Sequence, residues 1–175
     1  EHCYSGAYGY LCSHFADSTY NWNAMVNKPA GSCIPLASLL YQCGIAVNMM
    51  YGCNGSGSYS EIVPGAMENY FGYSNSAQLE CRDSYNQTQW EALIQQQLNE
   101  NKPMYYSGYG TPGGHAFNCD GYQVVGSTTR YHFNWGWGGS SDGWFDINNV
   151  NGFNDGQCIV INSVPGTGYP YNCSG

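Results

Sequence analysis

The chain has 175 residues, few charged side chains and an acidic balance. Only 9% of the residues are Asp, Glu, Lys or Arg, and the formal net charge at neutral pH is −8. Four basic side chains cannot neutralise a phosphate backbone, which excludes nucleic acid as a partner. The 42% hydrophobic content is enough for one domain with a core, while no apolar run approaches the length of a membrane span.

The nine cysteines indicate the redox compartment of the protein. They are Cys3, Cys12, Cys33, Cys43, Cys53, Cys81, Cys119, Cys158 and Cys173. No Cys-x-x-Cys pair and no His/Cys cluster at zinc spacing is present, so we expect no metal and no cofactor. The count favours an oxidising, extracellular setting. Three sequons are compatible with glycosylation there, at Asn54, Asn86 and Asn172. Because nine is odd, at least one thiol is free or pairs with another chain or segment.

The start of the chain predicts an irregular arm and then a helix. Residues 1–18 show no helical period, and we interpret them as a loop or irregular strand. A first helix is predicted over 34–43, with Ser32 as its cap and Gly44 as its stop. An extended segment is expected at 45–51.

Two further helices are predicted before the sequence pattern changes. One covers 61–71, with Ser60 as the cap and Gly72 as the left-handed stop. The other covers 89–100, where a Thr-x-x-Glu capping box begins at Thr88. Its apolar residues recur at helical spacing.

After Asn101 the pattern is one of short strands with aromatic alternation. The predicted strands are 103–109, 114–122, 129–136, 143–147 and 157–162. Helices first and an antiparallel sheet afterwards make an α+β arrangement. We therefore divide the chain into an N-terminal arm, a single domain and a tail, at 1–18, 19–164 and 165–175.

The most informative stretches are rich in Gly, His and Trp. They are Gly113–Phe117, Asp120–Tyr122, Tyr131–Gly139 and Ser141–Phe145. With the earlier run Thr19–Asn23, they resemble the C10 (streptopain-like) family of papain-like cysteine peptidases. The resemblance extends in order from Thr19 to about residue 160. It implies a papain-like, streptopain-type domain.

The resemblance also implies roles for three residues. In such peptidases a Cys at a helix N-terminus is the nucleophile and a His is its base, while an Asn orients the imidazole and a Trp covers that hydrogen bond. The family's His corresponds to His115, its Asn to Asn134 and its shielding Trp to Trp135. A thiolate forms in such a site because an imidazolium and a helix N-terminus lower the thiol pKa.

The segment that carries the family's nucleophile is not found in this sequence. In the family a motif resembling Gly-Cys-Val-Ala-Thr-Ala opens an apolar helix, upstream of the stretch matching Thr19–Asn23. Cys3 and Cys12 are not followed by such a helix. Cys33 precedes an apolar helix, but that helix corresponds to the family's next one. We therefore interpret the fold as lacking the N-terminal catalytic helix and Cys33 as a disulfide cysteine, with nucleophile as its alternative role.

Three hypotheses about function follow. The first is a secreted pseudo-peptidase, a non-catalytic extracellular unit that self-associates through its terminal arms into filaments. Sparse charge, the odd cysteine count and aromatic ends favour it. The second is the larger fragment of an active C10-type cysteine endopeptidase whose nucleophile lies on a removed or separate segment. The third is an enzyme that uses Cys33. If the site is active, the resemblance implies an apolar side chain one position before the cleaved residue.

Overall fold

The chain divides into two compact units. The computed structural model describes residues 1–111 and 113–167. Unit 1 contains Glu1–Asn75 and the segment from Pro165, and unit 2 contains Ser76–Val164. The N-terminal arm that we separated from the domain therefore belongs to unit 1, together with the first two helices. Among the helices described, none has the length and apolar character that a bilayer crossing requires.

The first residues of unit 1 form a regular hairpin, so the expectation of an irregular arm is wrong. Its antiparallel strands are β1 (His2–Gly6) and β2 (Gly9–Ser13). Cys3 and Cys12 are direct cross-strand partners and form a disulfide. The Tyr4 hydroxyl donates to the Met49 carbonyl at 2.6 Å. A covalent staple thus orders two strands that are too short to be stable alone.

Helix α1 (Ile34–Ala46) differs from the prediction at both ends. Its N-cap is Cys33 rather than Ser32, and no side chain caps it. Gly44 lies inside the helix and is buried. A side chain is not tolerated there, because a Cβ atom would overlap the Tyr51 hydroxyl. Close packing, and not a helix stop, requires this glycine.

The segment after α1 is a turn, so the expected extended segment at 45–51 is wrong. Asn48 takes the left-handed conformation, with φ of 51°. Strand pairing is reduced to one isolated bridge between Met50 and Gly57.

Helix α2 (Val63–Phe71) confirms the second predicted helix. Ser60 begins a 3-10 turn, Ser60–Ile62, rather than capping α2. Gly72 ends the helix with φ of 72°, as the sequence predicts. The next residue, Tyr73, makes an isolated bridge with Pro165.

Unit 2 is built on a six-stranded antiparallel sheet, which confirms the α+β class. Its strands are β3 (Gln78–Cys81), β4 (Met104–Gly110), β5 (Gly113–Val125), β6 (Thr128–Asn134), β7 (Gly143–Phe145) and β8 (Asp155–Ile161). Their order across the sheet is β3-β8-β4-β5-β6-β7. The five predicted strands are present. Strand β3 is not predicted from the sequence, because four residues are too few to show alternation.

Helix α3 (Gln87–Asn99) has a capping box, but one that begins two residues before the predicted one. The Asn86 side chain accepts from the Gln89 backbone N–H, and the Gln89 side chain accepts from the Asn86 backbone N–H, each at 3.0 Å. Asn-x-x-Gln competes with Thr-x-x-Glu for the same role, and the extended backbone at Asn86 decides between them.

Replacing Asn86 with alanine is expected to lower the free energy of unfolding of unit 2 by about 1 kcal/mol. The backbone N–H of Gln89 loses its acceptor, and the reciprocal bond from the backbone N–H of residue 86 to the Gln89 side chain loses its support. Thr88→Ala is the matched control and should change stability by less than about 0.5 kcal/mol. Urea denaturation followed by tryptophan fluorescence measures both. A larger effect at Thr88 than at Asn86 would contradict this assignment.

The main hydrophobic cluster lies entirely in unit 2. Trp90 and Ile94 of α3 pack against one face of the sheet, where Tyr106, Phe117 and Phe133 are buried. Tyr106, Phe117 and Phe133 form an aromatic group with ring centroids 5.2 to 5.3 Å apart. This cluster supports the central strand β5, which carries the first residue of the candidate site.

Candidate active site

His115 lies near the start of β5, directly after Gly113 and Gly114. Its cross-strand partner on β4 is Gly108. Alternate residues of a strand share one face, so His115 points to the same side as the buried Phe117. The ring itself is half-buried. The core of unit 2 therefore supports the imidazole from below while one side of it stays accessible.

One hydrogen bond determines the tautomer of His115. Its Nε2 lies 3.0 Å from the backbone carbonyl oxygen of Trp135. A carbonyl only accepts, so Nε2 carries the hydrogen and donates it. In the neutral ring the lone pair is then on Nδ1, and no side chain or backbone group of the described residues bonds to that atom. Nδ1 is thus the nitrogen that can act as a base.

Aromatic side chains hold the imidazole plane. Trp137 stacks on it with centroids 4.9 Å apart and an interplanar angle of 27°. Phe153 lies at 5.3 Å and Phe117 at 5.8 Å. Trp137 is 45% exposed, whereas Phe153 is 6% exposed. The ring is therefore restrained on its faces and partly shielded from water.

Asn134 is not brought together with His115 in the way that the resemblance implies. Its Oδ1 accepts from the Gly136 N–H at 2.9 Å, and the residue is exposed at the end of β6. Trp135, the next residue, is buried and supplies the carbonyl that Nε2 contacts. Neighbouring residues of an extended chain point to opposite sides, which separates the two. The structure thus places a backbone group where an amide side chain was expected.

Trp135 is held by the Gly-rich loop that follows it. Its indole N–H donates to the Ser141 carbonyl and its backbone N–H to the Asp142 carboxylate, both at 2.9 Å. Gly136 and Gly138 have φ of 75° and 63°, which only glycine adopts readily. The glycines of this motif therefore let the loop fold back on Trp135. Asp142 lies in the motif Ser141–Phe145, whose sequence alone does not predict this contact.

Comparisons with known proteins identify the family of this chain. The model of the peptidase C10 family matches residues 4–145. The chain belongs to the peptidase C10 family. The match begins within the N-terminal hairpin, earlier than the resemblance at Thr19, and includes His115, Asn134 and Trp135.

Named relatives confirm the family. Streptopain of Streptococcus pyogenes is 35% identical over 162 residues, which cover 83% of this chain and 40% of streptopain. The thiol protease/hemagglutinin PrtT of Porphyromonas gingivalis is 34% identical over 178 residues, covering 93% of this chain and 19% of that protein. The chain spans about two fifths of the length of the streptopain sequence that it matches.

Solved structures confirm the fold. The active wild-type cysteine protease interpain A of Prevotella intermedia matches with a TM-score of 0.75 and 30% identity, over 86% of this chain and 66% of that chain. A fragment of prointerpain A from the same organism matches with a TM-score of 0.71 and 31% identity, over 88% and 50%. The papain-like, streptopain-type architecture is thus established for this chain.

A C10 peptidase needs a thiolate opposite its histidine, and the cysteines of this chain differ in their fitness for that role. Cys3 and Cys12 are bonded to each other. Desolvation raises the pKa of the buried Cys119 thiol. Desolvation also raises the pKa of Cys43, although that residue is exposed overall. A raised pKa keeps a thiol neutral and weakly nucleophilic.

Cys33 is a free thiol, so its assignment to a disulfide is wrong. It is the N-cap residue of α1, the position that the sequence assigned to Ser32, and its Sγ donates to the Ala24 carbonyl at 3.5 Å. Cys33 lies in unit 1 and His115 in unit 2. The described disulfides are Cys3–Cys12 and Cys81–Cys158. Cys173 lies outside the described residues.

Two other groups of polar side chains have contacts of their own. His132 contacts Asp120, with 2.6 Å between Nδ1 and Oδ1, and its ring meets Trp144 edge-on. Within residues 1–111 and 113–167, the one group with metal-ligand geometry is Glu1, Cys3 and Cys12. Its two cysteines are oxidised and offer no thiolate.

Two of the three sequons fall on the surface. Asn54 and Asn86 are exposed, and Asn172 lies outside the described residues. At Asn86 the side-chain oxygen is the helix-capping atom. The amide nitrogen that a glycan would modify is therefore not the capping group, and glycosylation remains a prediction.

Proposed function

We propose that residues 1–175 supply the base and its support in a secreted C10-type cysteine endopeptidase, and that a segment outside these residues supplies the thiolate. By itself the chain is then non-catalytic. One observation carries the proposal. The Trp135 carbonyl directs the imidazole of His115 into the tautomer whose Nδ1 is basic, and no group of residues 1–111 or 113–167 hydrogen-bonds Nδ1.

In the completed site, Nδ1 of His115 takes the proton of the nucleophilic thiol. The thiolate attacks the carbonyl carbon of the scissile peptide bond. The protonated Nδ1 then gives its proton to the leaving amine, which leaves an acyl-enzyme. Nδ1 next deprotonates the water that hydrolyses this thioester and returns the proton to the sulfur, which is the leaving group. Throughout, the Nε2 hydrogen bond to Trp135 stabilises the imidazolium and prevents the ring from rotating.

An extracellular location is supported by the two disulfides. Cys3–Cys12 and Cys81–Cys158 each join adjacent strands, one in each unit. Such bonds persist in oxidising compartments. The relation to C10 peptidases further supports an apolar side chain one position before the cleaved residue of an unfolded or extended substrate.

The protein purified from the organism that makes it is the material for the test. We expect its intact mass to show a segment additional to residues 1–175, and an unfolded protein substrate to be hydrolysed. A thiol-directed epoxide should abolish hydrolysis and label that segment. Recombinant 1–175 is the control and should be inactive.

Two outcomes would contradict the proposal. Natural material with the mass of 1–175 and no hydrolysis would favour a non-catalytic protein. Hydrolysis by recombinant 1–175 that disappears in Cys33→Ala would instead place the nucleophile at Cys33.

Replacing Asn134 with alanine separates the geometry seen here from the arrangement that the resemblance implies. Because the Trp135 carbonyl and not the Asn134 side chain bonds Nε2, kcat/KM of the complete peptidase should fall by less than about 10-fold. Asn118, the direct cross-strand partner of Asn134, provides the matched control Asn118→Ala. A loss of about 1,000-fold at Asn134 alone would restore its orienting role.

A second candidate is the non-catalytic, self-associating extracellular subunit. The observation that favours it is the hairpin of unit 1, where Tyr8 is 62% and Tyr10 is 73% exposed. Exposed tyrosines without nearby repulsion between like charges favour contacts between copies. Light scattering across a wide concentration range under oxidising conditions tests this candidate. A monomer at every concentration would remove it.

A further inference from the structure

Gln157, on β8, is a buried amide with all of its hydrogen-bonding capacity used. It is 1% exposed. Its Oε1 accepts from Arg82 Nη1 at 2.9 Å and from the Tyr106 hydroxyl at 2.7 Å. Its Nε2 donates to the carbonyls of Ile147 and Phe153, each at 3.4 Å. Two acceptor and two donor positions are thus satisfied, which determines the orientation of the amide.

The neighbours of Gln157 hold it in that orientation. Burial raises the pKa of Tyr106, so its hydroxyl stays protonated and donates. Arg82 Nη1 also donates to the Ile147 carbonyl at 2.8 Å, and Nη2 donates to Asn148 Oδ1 at 2.5 Å. The guanidinium group of Arg82 therefore bonds both to Gln157 and to Ile147 and Asn148, which belong to the same segment as the carbonyls that Gln157 bonds.

That segment, 147–153, joins β7 to β8 without being a strand or an α-helix. Gln157 bonds both of its ends, Ile147 and Phe153. A loop with no regular ladder depends on such side-chain bonds for its conformation. Gln157 and Arg82 accordingly add side-chain bonds to the backbone bonds of the segment, which run from the Asn149 N–H to the Asp146 carbonyl and from the Phe153 N–H to the Val150 carbonyl.

Phe153 connects this segment to His115. Its ring centroid is 5.3 Å from that of His115 and 5.7 Å from that of Trp135. Its backbone also lies against Gly108, where a Cβ would come within 2.5 Å of the Phe153 carbonyl oxygen. Gly108 is the cross-strand partner of His115. A shift of Phe153 would thus change both the ring and the strand beside the histidine.

We propose that Gln157, oriented by Arg82 and Tyr106, is a positioning residue for His115 that acts through Phe153. The catalytic consequence rests on the proposed function, whereas the structural consequence does not. The role depends on the amide donors of Gln157, because they bind the Phe153 carbonyl, whereas the bonds of Arg82 to this segment are to Ile147 and Asn148.

Gln157→Glu is the variant that isolates this role. The carboxylate still accepts from Arg82 and Tyr106, but the two N–H donors to Ile147 and Phe153 are gone. In recombinant 1–175, NMR should show shifted and broadened signals from the His115 ring and the Trp135 indole N–H. The signals of the His132 ring, which bonds Asp120, should stay unchanged and serve as the internal control.

Unchanged His115 signals in folded Gln157→Glu would overturn the proposal, as would equal changes at His132. If Gln157→Glu does not fold, Arg82→Lys is read in the same way, because lysine cannot bridge the loop and Gln157 together. It should again shift His115 and not His132, and unchanged His115 signals would again overturn the proposal.

In the complete peptidase, Gln157→Glu should lower kcat by about 10- to 100-fold with a small change in KM, since misplacing a catalytic group affects the transition state most. An unchanged kcat in an active enzyme would overturn the catalytic part. Absence of activity in every form would contradict the proposed function and leave the NMR result to decide the positioning role.

Discussion

Alanine in place of His115 should lower kcat/KM of the complete peptidase by at least about 1,000-fold. In the mechanism that we propose, the variant removes the group that forms the thiolate and then protonates the leaving amine. The measurement is hydrolysis of an unfolded protein or peptide substrate at several pH values. Because His115 is half-buried on a strand whose neighbours stay in place, we expect the variant to fold.

His132→Gln is the matched control for His115→Ala. His132 lies on β6 and pairs with Asp120. Its ring packs against Trp144 and not against the aromatic rings that surround His115. Its replacement should leave kcat/KM within about 3-fold of the original value. Equal losses for the two variants would show that stability and not chemistry explains the first effect, and circular dichroism of both excludes unfolding.

Removal of the Cys81–Cys158 disulfide should cause the largest loss of stability. The bond closes a sequence separation of 77 residues, and the double variant Cys81→Ala/Cys158→Ala should lower the free energy of unfolding of unit 2 by about 4 kcal/mol. The bond also lies beside Arg82 and Gln157, so the loop 147–153 should loosen with it. Urea denaturation in oxidising buffer measures the change.

The second disulfide provides the comparison. Cys3–Cys12 closes a separation of only 9 residues, so Cys3→Ala/Cys12→Ala should cost about 2.5 kcal/mol, and that loss should appear in unit 1. Equal losses would contradict the dependence on loop length. A loss at Cys81–Cys158 well below the loss at Cys3–Cys12 would show that β3 is held mainly by its strand pairing.

Much of the fold follows from patterns within short stretches of chain. Gly72 was predicted as a helix stop because left-handed backbone favours glycine, and it is one. The same prediction for Gly44 is wrong. That glycine lies inside α1 and is required by its close contact with Tyr51, which follows the helix. The cap of α3 is a similar case, since Asn86 and Thr88 both suit the role and only the backbone conformation selects one.

In the candidate site, too, some features follow from local sequence and others depend on tertiary contacts. His115 and Trp135 were identified from their motifs, and the structure brings them together. Asn134 was assigned with them but bonds Gly136 instead. Phe153 had no signal, because it lies in an irregular segment and meets His115 only through the packing of β4 and the loop.

By itself the sequence determined the α+β class, the family, and the absence within it of the motif that carries the family's nucleophile. These properties depend on residue order and periodicity, which a single chain displays directly. Only the tertiary structure decided which atom holds the imidazole, which thiols are oxidised and what supports the site. Those properties depend on contacts between residues far apart in sequence, such as Gln157 with Arg82 and Phe153 with His115. The position of His115 is thus indicated by a motif, and the orientation of its ring is set by a backbone carbonyl twenty residues away.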